Sequence, residues 1–449
     1  MRGKITLDVM FCQSEEGFSL DEFIFKLREV FESGGFSELT SLMLKLVQEV
    51  LIHRLLSGHH NYHFCCCEKG SYRLHGSYIR SIKTSLGEIK MIWYRVRCRS
   101  CGKIFVPLKE FLGISRYQRH SHELEKAVQD AVVKDSYRRA VETLNSTGFV
   151  SVSCTSAHRW IMETDSDEFK ISGDVCGSIG CQVIGDSTKF KVHPESGKKQ
   201  GNLKVLVGVD GDGNVFPLGS WSNKSWEEIS EELKEHKIRF PGGSVLVSDG
   251  EPGLSEALSE GIEFEQRCHW HIVRDLYHTM WQDGGKIGFI KPIQKALSGA
   301  IGIELPEEDF SMVSEEEKDA IEERMEKVER AIEKLIEYLE VNRYEKAANY
   351  LKNCLKNMFS YIKRWLKYGL ICPRASSLIE RLIRELGRRL KKIAYNWSDR
   401  GAGKIARIIL KKITAIEQWE EYWNKKMKII GSVFVRLANY KPVAQNLGH

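Results

Sequence analysis

No stretch of this 449-residue chain approaches the ~18 consecutive apolar residues that a membrane-spanning helix needs, so a membrane protein is not expected. Met1–Met10 mixes charged with apolar residues and lacks a long hydrophobic core, so no secretory leader is expected either. A large excess of one charge is also missing. The 67 basic and 61 acidic residues leave a net charge of +6, which permits a nucleic-acid partner without demanding one. The chain is not poor in apolar residues: 42% hydrophobic against 29% charged excludes a disordered polymer, and the length calls for two to four domains. The expected setting is cytoplasmic. There the 12 cysteines stay reduced, and clustered ones read as metal ligands rather than disulfides.

The first segment, 20–56, carries apolar residues at near-helical spacing and reads as a helical scaffold or oligomerisation element. A Cys/His-rich stretch follows. Cys98 and Cys101, with Gly102 behind them, form a knuckle that grips one tetrahedral zinc, the glycine permitting the tight turn. The facing half is irregular: Cys67 is the preferred ligand, completed by Cys65 or His63. Between the clusters, 78–84 and 89–96 read as strands joined at Leu86-Gly87. Residues 120–163 then read as three helices. The last is opened by polar capping residues and exposes Thr155, Ser156, His158 and Arg159, the pattern of a helix-turn-helix, with a plain helical linker as the alternative.

From Cys181 the hydrophobic period becomes that of strands, in the order β-β-β-α-β-α-β. That is the order of a ribonuclease-H-like fold, so the expected class is α/β with a mixed five-stranded sheet and flanking helices. Asp186 falls in the first strand and Asp249 just past the fourth, strands that are neighbours in such a sheet. Asp210 and Asp212 read as turn formers of a hairpin. The segment between Cys268 and Ser376 reads as an all-helical insertion whose acidic part is a solvated face. The helix 376–393 then offers Glu380 beside its apolar stripe, with Glu385 as competitor. Arg384, Arg388 and Lys391 lie along roughly the same flank, suited to DNA phosphates. Three carboxylates converging make a site for two hard divalent cations, Mg²⁺ or Mn²⁺.

Four motifs carry a resemblance: Ile184-Gly-Asp186-Ser-Thr, Val247-Ser-Asp249-Gly, Gln266-Arg-Cys268-His-Trp-His271 and Ser376-Ser-Leu-Ile-Glu380-Arg. Together they resemble the DDE transposases of the Mutator-like group found in prokaryotic insertion sequences. Many relatives carry an Asn shortly before the Glu, where this chain has Ser376 and Ser377. The resemblance implies an Asp186/Asp249/Glu380 catalytic set, with Cys268 and His271 in the family's Cys-x-x-His positions. Trp270 either stacks on an unpaired base or packs in the core. It also implies binding to terminal inverted repeats, cleavage and strand transfer in a homodimer or larger assembly, and association with the nucleoid. The rivals are a regulator that uses only its zinc and helix-turn-helix modules, and a nuclease that cuts without joining. The expected partition is a helical segment over 1–57, a zinc-ribbon-like module over 58–112, the helix-turn-helix over 113–170, the first part of the catalytic core over 181–275, the insertion over 276–374 and the rest of the core over 375–449.

Overall fold

The computed structural model describes residues 20–58, 64–67, 71–146, 149–164, 180–193, 200–211, 213–393 and 396–428. His63, Asp212 and Met1–Met10 therefore lie outside the described residues. Among those described, no helix is long and apolar enough to cross a membrane. The chain divides into two compact units, one drawn from Met1–Lys126 with Glu420–His449, the other Ala127–Trp419.

In the first unit, α1 (Leu20–Val30) runs through a π-helical turn into α2 (Phe36–Leu56). A three-stranded sheet follows: β1 (Tyr72–Thr84), β2 (Gly87–Cys98) and β3 (Ile104–Phe105), then the short α3 (Pro107–Phe111). Both long strands run further than the sequence pattern predicts, because the hydrogen-bonded ladder continues to Tyr72↔Cys98. The two-residue loop is Ser85-Leu86 rather than Leu86-Gly87. Thr84 pairs with Gly87, and the Thr84 hydroxyl donates to the Gly87 carbonyl at 2.9 Å. Leu51 of α2 packs with Ile82, Met91 and Trp93 on one face of the sheet.

Helix α4 (His122–Lys134) carries the chain from the first unit into the second, which goes on with α5 (Tyr137–Asn145) and α6 (Cys154–Glu163). Its sheet has β4 (Gln182–Lys191), β5 (Gln200–Val209), β6 (Val215–Ser222), then α7 (Trp226–Glu235), β7 (Val245–Ser248), α8 (Leu254–Leu258) and β8 (Phe264–Arg267). The spatial order is β6-β5-β4-β7-β8. The β4–β5 and β5–β6 pairs are antiparallel; β4–β7 and β7–β8 are parallel. This is the mixed five-stranded sheet expected. Helices α9 (His269–Gln282), α10 (Ile287–Ile301), α11 (Glu315–Val341), α12 (Glu345–Leu355) and α13 (Ser360–Tyr368) follow, then α14 (Ser377–Gly387) and α15 (Asp399–Thr414); α16 (Ile416–Met427) carries the chain back into the first unit.

Alternation along the strands decides which face each residue serves. Val183, Leu206 and Leu246 turn to α7 and α8, packing with Trp226, Ile229, Leu233, Leu254 and Leu258. Helix α7 is held at its start by a capping box between Ser225 and Glu228. Ile184, Val205 and Val247 turn the other way and are equally buried. There α14 packs on β4, and α15 packs on β5 and β6. Two cross-strand pairs set an aromatic ring over a glycine: Phe190 opposite Gly201, and Phe216 opposite Gly208. A β-carbon at either glycine would collide with the ring. Gly208→Val is therefore expected to destabilise the protein by about 1–3 kcal/mol through overpacking, read as a lower urea midpoint, while Asn214→Ala in the neighbouring exposed turn shifts the midpoint less.

Candidate metal and active-site centres

The parallel pairing of β4 with β7 sets Ile184 opposite Val247. Asp186 lies two residues beyond the first (186 − 184 = 2) and Asp249 two beyond the second (249 − 247 = 2). Continued by two residues, that register brings the two acids to one level, and the Asp249 charge is near enough to act on Asp186. Strand β7 ends at Ser248 while β4 runs on to Lys191, so Asp249 lies just past its strand and Asp186 within its own. Each is half-buried. Asp186 Oδ1 accepts the Ser187 N–H at 2.6 Å, and Asp249 Oδ1 accepts the Glu251 N–H at 3.0 Å. Between them, Gly250 has φ +86°, and the Arg267 guanidinium occupies the place a β-carbon would need. Burial, then the neighbouring Asp249, raises the Asp186 carboxyl from its ordinary 3.8 to about 6.

Glu380 sits in the first turn of α14, the helix packed on β4. Its position depends on a chain of bonds beginning at β7. The Cys268 N–H donates to the Ser248 carbonyl at 2.9 Å, and Cys268 Sγ accepts the Ser376 N–H at 3.3 Å. The Ser376 hydroxyl lies 3.5 Å from both His271 Nδ1 and Glu380 Oε1, and these last two are 3.9 Å apart. Burial opposes a charged imidazole, but Cys268 and then Asp249 prevail and raise His271. Burial likewise pushes the Cys268 thiol up, and the bonds from His271 and Ser376 outweigh it, bringing the thiol down to about 7. Glu385, the competing acid, pairs instead with Arg388 at 3.2 Å.

Among the described residues, the groups of three or more ligand-type side chains closing within 4.8 Å are Cys268/His271/Glu380 and the four cysteines 65, 67, 98 and 101. Asp186 and Asp249 lie outside both. Trp270 is 52% exposed, with the Arg274 guanidinium 4.8 Å from its ring, which removes the core-packing alternative. The sequence pattern did not flag Glu251, which brings a fourth acid to this edge. It turns toward Ser187, Trp226 and Lys204, and burial raises its carboxyl. Two residues beyond Asp249 it was legible only as part of a turn.

Arg384, Arg388 and Lys391 are exposed, but they do not share one continuous helix. Helix α14 ends at Gly387 and Arg388–Lys392 is π-helical. The wider turn delivers Arg389 inward, where it donates to the Val132 carbonyl at 2.8 Å and lies 4.8 Å from the Trp397 ring. In the helix pair α5–α6, the Asn145 side chain clamps Val152 through two bonds of 2.9 Å, fixing the turn. Thr155, His158 and Arg159 are exposed on α6. Ser156 is half-buried, its hydroxyl 3.0 Å from that of Ser153, the residue that caps the helix.

The sulfurs of Cys65, Cys67, Cys98 and Cys101 all lie within 4.8 Å of one another. Tetrahedral zinc with bonds of ~2.3 Å places thiolates ~3.8 Å apart, so a small contraction suits the set to zinc. The knuckle is built as its spacing implies: Gly102, at φ +75°, donates its N–H to the Cys98 carbonyl at 3.0 Å. Backbone donation from Cys101 holds the Cys98 thiol down at about 6, in its metal-binding form. Cys66 is exposed and outside the group.

Residues 28–399 match the family described as "Transposase, Mutator family". The chain belongs to that family. A protein of Streptococcus gallolyticus described as "UPF0236 protein in vanSb 3′region" is 23% identical over 300 residues, or 59% of this chain. The match spans 62% of that curated relative's length. The solved "Drosophila P element transposase strand transfer complex" shares 13% identity, covering 69% of this chain and 95% of that one, with a TM-score of 0.38.

Two measurements test these centres. Metal analysis of the purified protein is expected to find one zinc per chain, lost in Cys98→Ser and Cys101→Ser but retained in Cys66→Ser. In magnesium-free buffer, Asp186→Asn is expected to raise stability. The raised carboxyl makes ionisation unfavourable to the folded state, so the gain is full above pH ~6 and fades toward pH ~3.8, where the carboxyl is neutral both folded and unfolded. A urea midpoint difference that stays constant from pH 7.5 to 4.5 contradicts this.

Proposed function

We propose that this protein is a DDE-type DNA transposase whose ribonuclease-H-like core cleaves DNA at the ends of a mobile element and joins them to a target. The observation that carries the reading is the placement of Asp186 and Asp249 at one level along adjacent parallel strands, with Glu380 on the helix packed against the first of those strands. The strand order and directions support the ribonuclease-H-like assignment, and family membership supports the transposase reading.

In this reading Asp186, Asp249 and Glu380 hold two Mg²⁺ or Mn²⁺ ions. An all-carboxylate set suits hard cations, which prefer oxygen. Held there, such ions would supply activation of the attacking oxygen and stabilisation of the leaving 3′ oxygen. Cys268, Ser376 and His271 are positioning residues: they tie the start of α14 to the end of β7 and so set where Glu380 stands relative to Asp249. Arg384, Arg388 and Lys391 track phosphates, and exposed Trp270 is available to stack on an unpaired base. The α5–α6 pair reads the terminal inverted repeats through Thr155, Ser156, His158 and Arg159, on a helix that Ser153 caps. The zinc-binding module assists by shape and charge. Two element ends must meet, so a homodimer or larger assembly is part of the proposal, as are the domain boundaries set out above and association with the nucleoid.

The test is Mg²⁺-dependent nicking of a labelled duplex carrying the element's end. Asp186→Ala, Asp249→Ala and Glu380→Ala should each fall to background; parental activity in all three sinks the site. His271→Ala should lose about 10- to 100-fold, as loss of an outer-shell partner does. That loss should appear as a rightward shift in the Mg²⁺ dependence, and an unshifted curve removes its positioning role.

A further inference from the structure

Helix α9 buries His271, Ile272, Leu276 and Met280 along one side. At ~100° per residue, Trp270, Arg274, Tyr277 and Trp281 fall together on the opposite side, in the i, i+4, i+7, i+11 spacing of a single stripe. Trp270 is 52% exposed and Trp281 65%, and Tyr277 is half-buried. Large rings gathered on the outward face of an amphipathic helix add nothing to the core beneath, and they mark an interaction surface. Between the rings, Arg274 is held by Asp275 through two bonds of 2.6 and 3.1 Å, with its guanidinium 4.8 Å from the Trp270 ring. Among the described residues its Nη1 makes no hydrogen bond. Asp283, at the end of the helix, is taken by the Ala347 N–H at 3.0 Å. The stripe begins at the candidate active site. The Trp270 ring stands edge-on to that of His271 at 4.8 Å, His271 lies 3.9 Å from Glu380, and Asp249 is near enough for its charge to act on Arg274. From Trp270 to Trp281 it runs ~16 Å along the helix (281 − 270 = 11 positions).

We propose that this face of α9 is a track for unpaired DNA leading away from the candidate active site, with bases stacked on Trp270, Tyr277 and Trp281 and a phosphate met by Arg274. Successive members of the stripe stand ~4.5–6 Å apart along the helix. That is wider than the ~3.4 Å between neighbouring bases in one strand of a duplex. The platforms therefore suit a strand drawn out of its stack, and a duplex, whose base faces are covered, has little to offer them. Every base has a flat face, so such a track is indifferent to sequence. The inference deepens the DNA-transposase reading and rests on it. Trp270 is shared with that reading; Tyr277 and Trp281 are new to it.

Full-length protein in magnesium-free buffer is titrated with a labelled blunt duplex and with the same duplex ending in an unpaired thymidine tail. The tailed duplex is expected to bind at least about fivefold tighter, as one stacked base supplies. Trp281→Ala and, independently, Tyr277→Ala should each bring the tailed-to-blunt ratio toward one, while Trp281→Phe, which keeps a ring, should largely retain it. The ratio is the readout because a folding defect weakens both arms alike. A parental ratio near one, or a ratio kept in both alanine variants, overturns the track and leaves the transposase reading standing, since the blunt duplex still binds. If neither DNA binds, the reading itself fails and the track falls with it. Sedimentation of the same variants is expected to match the parent; a smaller assembly in Trp281→Ala makes this face a contact between copies of the chain and overturns the track.

Discussion

Everything at the candidate active site depends on one parallel strand pairing, β4 with β7. An antiparallel neighbour would point its own carboxyl end to the opposite edge of the sheet. The parallel one brings two carboxyl-side acids, 63 positions apart (249 − 186), to a single level. That placement is unfavourable in itself, since two half-buried like charges side by side resist ionising, and Asp186 responds by rising to about 6. The sheet tolerates it because Val183, Ile184, Leu246 and Val247 just behind the acids are fully buried, and their burial far exceeds the local repulsion. The early end of β7 matters as much. Ligands of open α/β sheets bind beyond the carboxyl ends of the strands, and Asp249 lies just past the carboxyl end of β7.

The third acid comes from a helix that no strand register controls, so its placement needs another device. The backbone and side chain of Cys268 supply one. A single residue at the start of α9 is bonded on one side to the end of β7 and on the other to the start of α14. Moving Cys268 would therefore move Glu380 relative to Asp249, although neither touches the other through the main chain. Helices α10 and α11 take no part in these bonds, which pass directly from the start of α9 to the start of α14.

Much of this was legible in the sequence, and the reasons are local. Strands β5 and β7 follow from their apolar runs, α7 from its Ser225/Glu228 cap, and the cysteine knuckle from Cys98, Cys101 and Gly102 at fixed spacing. Adjacency of Asp186 and Asp249 required only the assumption of a strand order. What escaped is what depends on partners remote in sequence. The π-turn at Arg388 exists because Arg389 finds the Val132 carbonyl and the Trp397 ring, and nothing within the helix itself announces that. Glu251 stands beside Asp249 in an ordinary turn motif, and its orientation toward Lys204 and Trp226 is decided by the packing of α7. The extent of β1 and β2 is set by pairing at the cysteine-bearing end rather than by residue type.

The two metal-type centres differ in donor chemistry, and the chain keeps the difference sharp. Four cysteine sulfurs in the first unit favour a soft or borderline ion, while the paired aspartates of the second favour a hard one. Among the described residues, the types mix at Cys268, His271 and Glu380, whose ligand atoms also close within 4.8 Å. A zinc ion lodged there would draw Glu380 away from Asp186 and Asp249. The Cys268 sulfur is already accepting the Ser376 N–H, and His271 Nδ1 already faces the Ser376 hydroxyl. Metal capture would have to break these bonds and release the start of α14 from the sheet. The same contacts that position Glu380 therefore raise the cost of losing it to the wrong ion. On this argument Ser376 belongs to the specificity of the site as much as to its geometry.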